Sequence, residues 1–115
     1  MNGVVNIDKP AGMTSHDVVN RVRRLAHQKS VGHAGTLDPD ATGVLLVCLG
    51  SATRIADLLA DGGKRYRCTL VLGAETSTED ASGIVLAETD ASSILAEQLF
   101  AILPKFTGTI LQVPP

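Results

Sequence analysis

Gly32-His33-Ala34-Gly35-Thr36-Leu37-Asp38-Pro39-Asp40-Ala41-Thr42-Gly43, followed at once by Val44-Leu45-Leu46-Val47-Cys48-Leu49-Gly50, is the stretch on which the reading of this chain turns. Its second half is a continuous apolar run closed by a glycine, the pattern of a buried strand. The first half, punctuated by Gly32, Gly35 and Gly43, reads as a loop, because glycine permits backbone angles and close approaches that a side chain blocks. Pro39 restricts the turn directly after Asp38. An acid is thus set on a constrained loop with a rigid strand behind it, which is how reactive groups are commonly carried. The plainer reading is an Asx-type turn in which Asp38 caps its own loop.

Towards the N-terminus, Val4-Val5-Asn6-Ile7 reads as a strand stopped by the turn signal Lys9-Pro10-Ala11-Gly12. A helix is expected next. Thr14 with Asp17 three residues on resembles a capping box, and Val18, Val22, Leu25 and Ala26 fall on one face while Arg21, Arg24 and Gln28 line another. Beyond Gly50, Ser51 is expected to cap a second helix with Ile55, Leu58 and Leu59 as its apolar face, stopped at Asp61-Gly62-Gly63. The period then changes to two over Lys64 to Leu72, with Tyr66, Cys68, Leu70 and Leu72 on one face, which predicts a strand with Tyr66 turned inward. Residues 73–83 read as a polar loop, Ile84 to Ala87 as a strand, and a helix carrying Leu95, Leu99, Ile102 and Leu103 starts at Asp90 or Ser92 and ends at Pro104. A last strand is predicted over Thr107 to Val113, running into Pro114-Pro115.

The chain has 115 residues, enough for one ordinary domain and short for an enzyme that must enclose a large substrate. With 44% hydrophobic and 19% charged residues it has a globular composition, and its longest apolar run is far too short to cross a bilayer. The opening residues lack a basic leader and an apolar core, so the cytoplasm is the expected compartment. Cys48 and Cys68 have no CxxC spacing and are expected to be reduced core thiols; no metal site is expected. Net charge is −2, but unevenly distributed. Residues 1–72 hold nine of the ten Lys and Arg against six acids, and residues 73–115 hold Lys105 against six acids. A basic first part bearing the glycine-rich loop suits a polyanion approaching from one side; ordinary surface charge is the alternative.

Three signals in order, Asp8-Lys9-Pro10-Ala11-Gly12-Met13-Thr14-Ser15-His16-Asp17, then Gly32 to Pro39, then Lys64-Arg65-Tyr66 with Thr76 to Gly83, resemble the tRNA pseudouridine-55 synthases. The resemblance runs the full length of the chain and includes Gln112-Val113-Pro114-Pro115, the start of a further family motif. Asp40 stands where the family usually has an apolar residue, and no catalytic role attaches to it. The resemblance implies an α+β fold with a mixed, largely antiparallel sheet flanked by helices, present here in part. It also implies an isomerase that detaches uracil from its ribose in the T loop of tRNA, turns it and rejoins it through carbon, without a cofactor. Asp38 matches the catalytic aspartate, and Tyr66 the active-site tyrosine that stacks on the base and can help remove the C5 proton. Without the resemblance, Tyr66 would be read as a core aromatic.

His33 matches a residue that lies against the displaced T-loop nucleotides, where it offsets part of the few kcal/mol that flipping a base costs. Taken alone it would be a turn residue. Lys9, Arg21, Arg24 and Lys64 are candidates to hold phosphates. Family members continue with a Ser-Ala-x-Lys segment, a Tyr-Ile-Arg stretch whose arginine pairs with the aspartate, and a C-terminal RNA-binding domain. None of these occurs in residues 1–115, so the chain is expected to be the N-terminal portion of the catalytic domain, of the stand-alone bacterial type. Its partner is expected to be the T stem-loop of tRNA, with no membrane. Oligomeric state is not legible.

Two other functions compete. Asp38-Pro39-Asp40-Ala41-Thr42 has the Asp-x-Asp-x-Thr spacing of aspartyl-nucleophile phosphatases, but that motif needs an apolar strand directly before its first Asp, and Gly32 to Thr36 precede it here. The other is an RNA-binding fragment without turnover.

Overall fold

The computed structural model describes residues 1–113, and the chain divides into two compact units, Met1–Arg65 and Tyr66–Pro115. In the first, the order is strand β1 (Gly3–Lys9), helix α1 (Ser15–Leu25), strands β2 (Val31–Ala34) and β3 (Gly43–Leu49), a 3-10 helix (Gly50–Ile55) and the short helix α2 (Ala56–Ala60). The three strands form an antiparallel sheet in the order β1-β3-β2. The most apolar segment is central because it alone is paired along both edges. Its register sets Ile7 opposite Leu45 and Val31 opposite Leu49, and residues directly opposite share a face. Leu45, Val47 and Leu49 therefore line one side, packed with Val18 and Val19 of α1 and Val31 of β2. Each such side chain stabilises by about 1.5–3 kcal/mol when fully buried.

Helix α1 starts where the sequence predicts. Thr14 Oγ1 accepts from the Asp17 amide at 3.0 Å, and Asp17 Oδ2 accepts from the Thr14 amide at 2.9 Å, so two otherwise orphaned donors are satisfied. The Thr14 hydroxyl, which also donates to Asp17 Oδ2 at 2.6 Å, and the Thr14 amide hold the Asp17 carboxyl below its usual range. The buried stripe is rotated from the predicted one: Val19 is buried, whereas Leu25 is exposed because it falls at the last turn, beyond the sheet. The predicted second helix forms as a 3-10 turn and then five α residues, with Ile55 and Leu58 exposed. Gly32 to Ala34, read as loop, belongs to β2, since an edge strand needs only a partner ladder and β3 supplies it.

The second unit contains strands β4 (Ala74–Thr76) and β5 (Val85–Glu88), paired antiparallel with a bulge at Glu75/Thr76, and helix α3 (Ala96–Ile102), continued by a 3-10 turn at Leu103–Phe106. The polar loop between the strands is organised by Asp80. Its Oδ1 accepts from Thr78 Oγ1 at 2.7 Å, from Ser82 Oγ at 2.6 Å and from the Ser82 amide at 2.8 Å. Two expected strands are absent. Residues 64–72 and 107–113 are irregular, because alternation supplies a face but a strand also needs a neighbour to complete its backbone hydrogen bonds, and no described residue pairs with either segment. Cys68 is accordingly exposed, whereas Cys48 is buried as expected. Pro114 and Pro115, with which the expected last motif ends, lie outside the described residues. No helix among the described residues is long and apolar enough to cross a membrane.

Candidate active site

The loop between β2 and β3, residues 35–42, carries Asp38 at one end of the sheet. Gly35 at φ 89° and Gly43 at φ 116° bracket it in the left-handed region that a side chain disfavours. Gly32 needs no such freedom. Within the loop the Ala41 amide donates to the Asp38 carbonyl at 3.1 Å, so the main chain closes the turn, and the Asp38 side chain is exposed. The Asx-turn alternative is not what forms.

The residues on either side of Asp38 are fastened from the first unit's N-terminal segment. Ser15, 3% exposed at the first position of α1, donates from Oγ to the Leu37 carbonyl at 3.2 Å and accepts from the Leu37 amide at 3.0 Å. The Pro39 carbonyl accepts from the Gly12 amide at 2.8 Å and from Lys9 Nζ at 3.0 Å. Lys9, a candidate phosphate ligand by sequence, is instead fully buried. It ends β1 opposite Gly43, two residues after Ile7 and so on the core side of the sheet. Its three ammonium donors meet three carbonyls, those of Met13 at 2.7 Å, Pro10 at 3.0 Å and Pro39. A buried ammonium so saturated holds the loop rather than an RNA phosphate.

Of the other predicted residues in the first unit, His33 and Lys64 lie by the loop, and Arg21 and Arg24 lie along α1. His33 pairs with Val47 and so shares the core side of the sheet; it is half-buried. Its Nδ1 lies 2.6 Å from the Gly35 carbonyl, and because a carbonyl only accepts, Nδ1 is the donor in that contact. Lys64 lies beside the loop: a methyl group built on Gly35 would sit 3.7 Å from Lys64 Cε, and its ammonium donates to the Ala60 carbonyl. Arg21 and Arg24 are exposed on α1, and Arg24 is nine residues, about 14 Å of helix, beyond Ser15. Tyr66 opens the second unit and, with no strand to turn it inward, is 66% exposed. No three His, Cys, Asp or Glu are gathered for a metal among the described residues.

Ser15 was missed by sequence reasoning. The one available signal was redundancy: Thr14 already caps α1, so a second hydroxyl at the next position has no capping duty.

The backbone and this site define an α+β protein of the pseudouridine synthase fold. The chain matches a chain of the solved Cbf5-Nop10-Gar1 complex with a TM-score of 0.65 and 30% identity, covering 98% of this chain and 29% of that one. The sequence model for the TruB family pseudouridylate synthase (N terminal domain) matches residues 23–115, and the chain belongs to that family. It is similar over all 115 residues to tRNA pseudouridine synthase B of Pelotomaculum thermopropionicum (51% identical), Clostridium perfringens (56%) and Listeria welshimeri (48%). It spans 36%, 39% and 38% of the length of these relatives.

Proposed function

We propose that this chain carries the nucleophile-bearing part of a tRNA pseudouridine synthase acting on uridine 55 in the T loop, with Asp38 as the reacting carboxylate. One observation carries the reading: an exposed acid on a loop fastened immediately before and after it. Family membership and the similarity to tRNA pseudouridine synthase B support the substrate class.

The reaction is an isomerisation. The bond from uracil N1 to the anomeric carbon breaks, a bond from C5 to that carbon forms, C5 loses a proton and N1 gains one. Electrons balance without an oxidant or reductant. A carboxylate serves by adding either to the uracil ring or to the anomeric carbon and then leaving, or by assisting a glycal path. Fixing the backbone on both sides of Asp38 reduces the reorganisation that attack requires. Tyr66 is the group proposed to stack on the everted base and take the C5 proton, and His33 the one proposed to contact displaced loop nucleotides.

The test is a uridine-labelled T stem-loop assayed for pseudouridine. The Asp38→Asn variant is expected to lose at least about 10³-fold in conversion while keeping RNA affinity within about twofold. Unchanged turnover would overturn the assignment. The short span relative to the relatives favours one second reading, an RNA-binding part that needs further chain for turnover. Binding without conversion by the native 115 residues identifies that case.

A further inference from the structure

From Val18 to Leu37 the chain contains no Asp or Glu, yet it holds Arg21, Arg23, Arg24 and Lys29 with His27 and His33. The end of α1 concentrates this charge. Arg23, Arg24, His27, Gln28 and Lys29 line a shallow depression of about 280 Å³, and no acid is among its lining.

The backbone arranges this cluster. The Gln28 amide donates to the Arg23 carbonyl at 3.2 Å and the His27 amide to the Arg24 carbonyl at 3.4 Å, the paired bonds of a Schellman turn. His27 occupies the left-handed position of that turn at φ 49°, where glycine is the unstrained choice. The turn brings the residues after the helix back over its last basic residues. Arg23 is held in place by neutral partners, Asn20 Oδ1 at 3.1 Å and the Val31 carbonyl at 2.9 Å, so its charge is fixed in position without being neutralised. Favourable interaction with the helix C-terminus accounts for cations in the last turn. It does not account for Lys29 and a strained His27 beyond it.

We infer that this end of α1 is a second contact for the RNA backbone, a cradle for phosphates of the stem that lie apart from the target nucleotide. The inference rests on the chain acting on RNA. Arg24 lies about 14 Å of helix from Ser15, whose hydroxyl holds the residue next to Asp38. That rise corresponds to on the order of four nucleotides along a strand. For a strand that runs along α1 away from the target base and out of the loop, the contact falls on paired stem.

The test measures affinity of the 115-residue chain for a T stem-loop and for the seven-nucleotide loop alone as a function of salt. An Arg24→Gln/Lys29→Gln variant is expected to lower the slope of log K against log[salt] by about 1.5–2 for the stem-loop and to leave the stemless RNA unaffected. Arg24→Lys, which keeps the charge, should retain the native slope. An unchanged slope, an equal loss on the stemless RNA, or no stem-loop binding by the native chain would overturn the proposal. Inorganic phosphate that competes equally against native and variant chains would also overturn it, since the anion would then act elsewhere. Asp38→Asn separates the two readings: it tests chemistry and is expected to leave the salt slope unchanged.

Discussion

In the unit Met1–Arg65, β3 is hydrogen-bonded along both edges and a helix covers one face, so Val19, Leu45 and Val47 are nearly or wholly removed from water. In the unit that begins at Tyr66, two strands pair only with each other, and no described residue is buried; Leu70, Ile84, Leu86 and Val113 all stand in solvent. Both regions have strand-like and helix-like apolar patterns, and only one of them builds a core. Apolar spacing is a necessary condition for packing and not a sufficient one: a two-stranded hairpin is marginal in water, whereas three strands with a covered face reach independent stability. The loop bearing Asp38 is rooted in the unit with the core. That root is what lets it be held on both sides.

The comparison breaks most directly by truncating one leucine in each unit. Leu45→Ala should destabilise the first unit by about 2–5 kcal/mol in denaturant unfolding, because it leaves a cavity in packed surroundings. Leu86→Ala, at an exposed position, should change stability by less than about 0.5 kcal/mol. Similar losses at the two positions would show that the second unit also has a core.

A smaller effect sharpens the link between core and site. Ser15→Ala removes the hydroxyl that pairs with both the amide and the carbonyl of Leu37, at an expected cost of about 1–3 kcal/mol. Its distinguishing readout is kinetic: conversion of a T stem-loop should fall through kcat with KM nearly unchanged, as expected for a positioning residue. A fall confined to KM would contradict that role.

The smallest expected effect is acid dependence, which the two units share. Hydrogen bonds from the Thr14 hydroxyl and amide lower the Asp17 pKa, and those from the Ser82 and Thr78 hydroxyls lower that of Asp80. A carboxyl depressed in the folded state contributes stability that is present above its unfolded value of about 4 and is lost as pH falls through the folded one. Acidification below about pH 4 should therefore fray the start of α1 and loosen the loop between β4 and β5, as read by amide chemical shifts. Asp80→Asn should abolish the loop's response and leave that of α1.

Much of the first unit was legible. The apolar run 44–49 read as a buried strand and forms one, with Val44 at its start exposed, and Thr14 with Asp17 marked the start of a helix to the residue. Less of the site was legible: Asp38 stood out because glycine and proline framed it, whereas its fastening did not. The Lys9 ammonium looked like a surface cation until the register of β1 against β3 placed it inside. Tyr66 was expected to face inward on a strand that finds no partner among the described residues.

The amino-acid sequence by itself determined which segments favour helix or strand, which acid the family motif singles out as a candidate, and which family the motifs imply. Those properties are local: propensity, capping and turn chemistry act over a few residues, and motifs are read in order along the chain. Tertiary structure decided which strand patterns become strands, where the charge of Lys9 goes, and how Asp38 is held. Those depend on hydrogen bonds between residues 22 and 30 positions apart, Ser15 to Leu37 and Lys9 to Pro39, and no local pattern specifies a partner at such a distance.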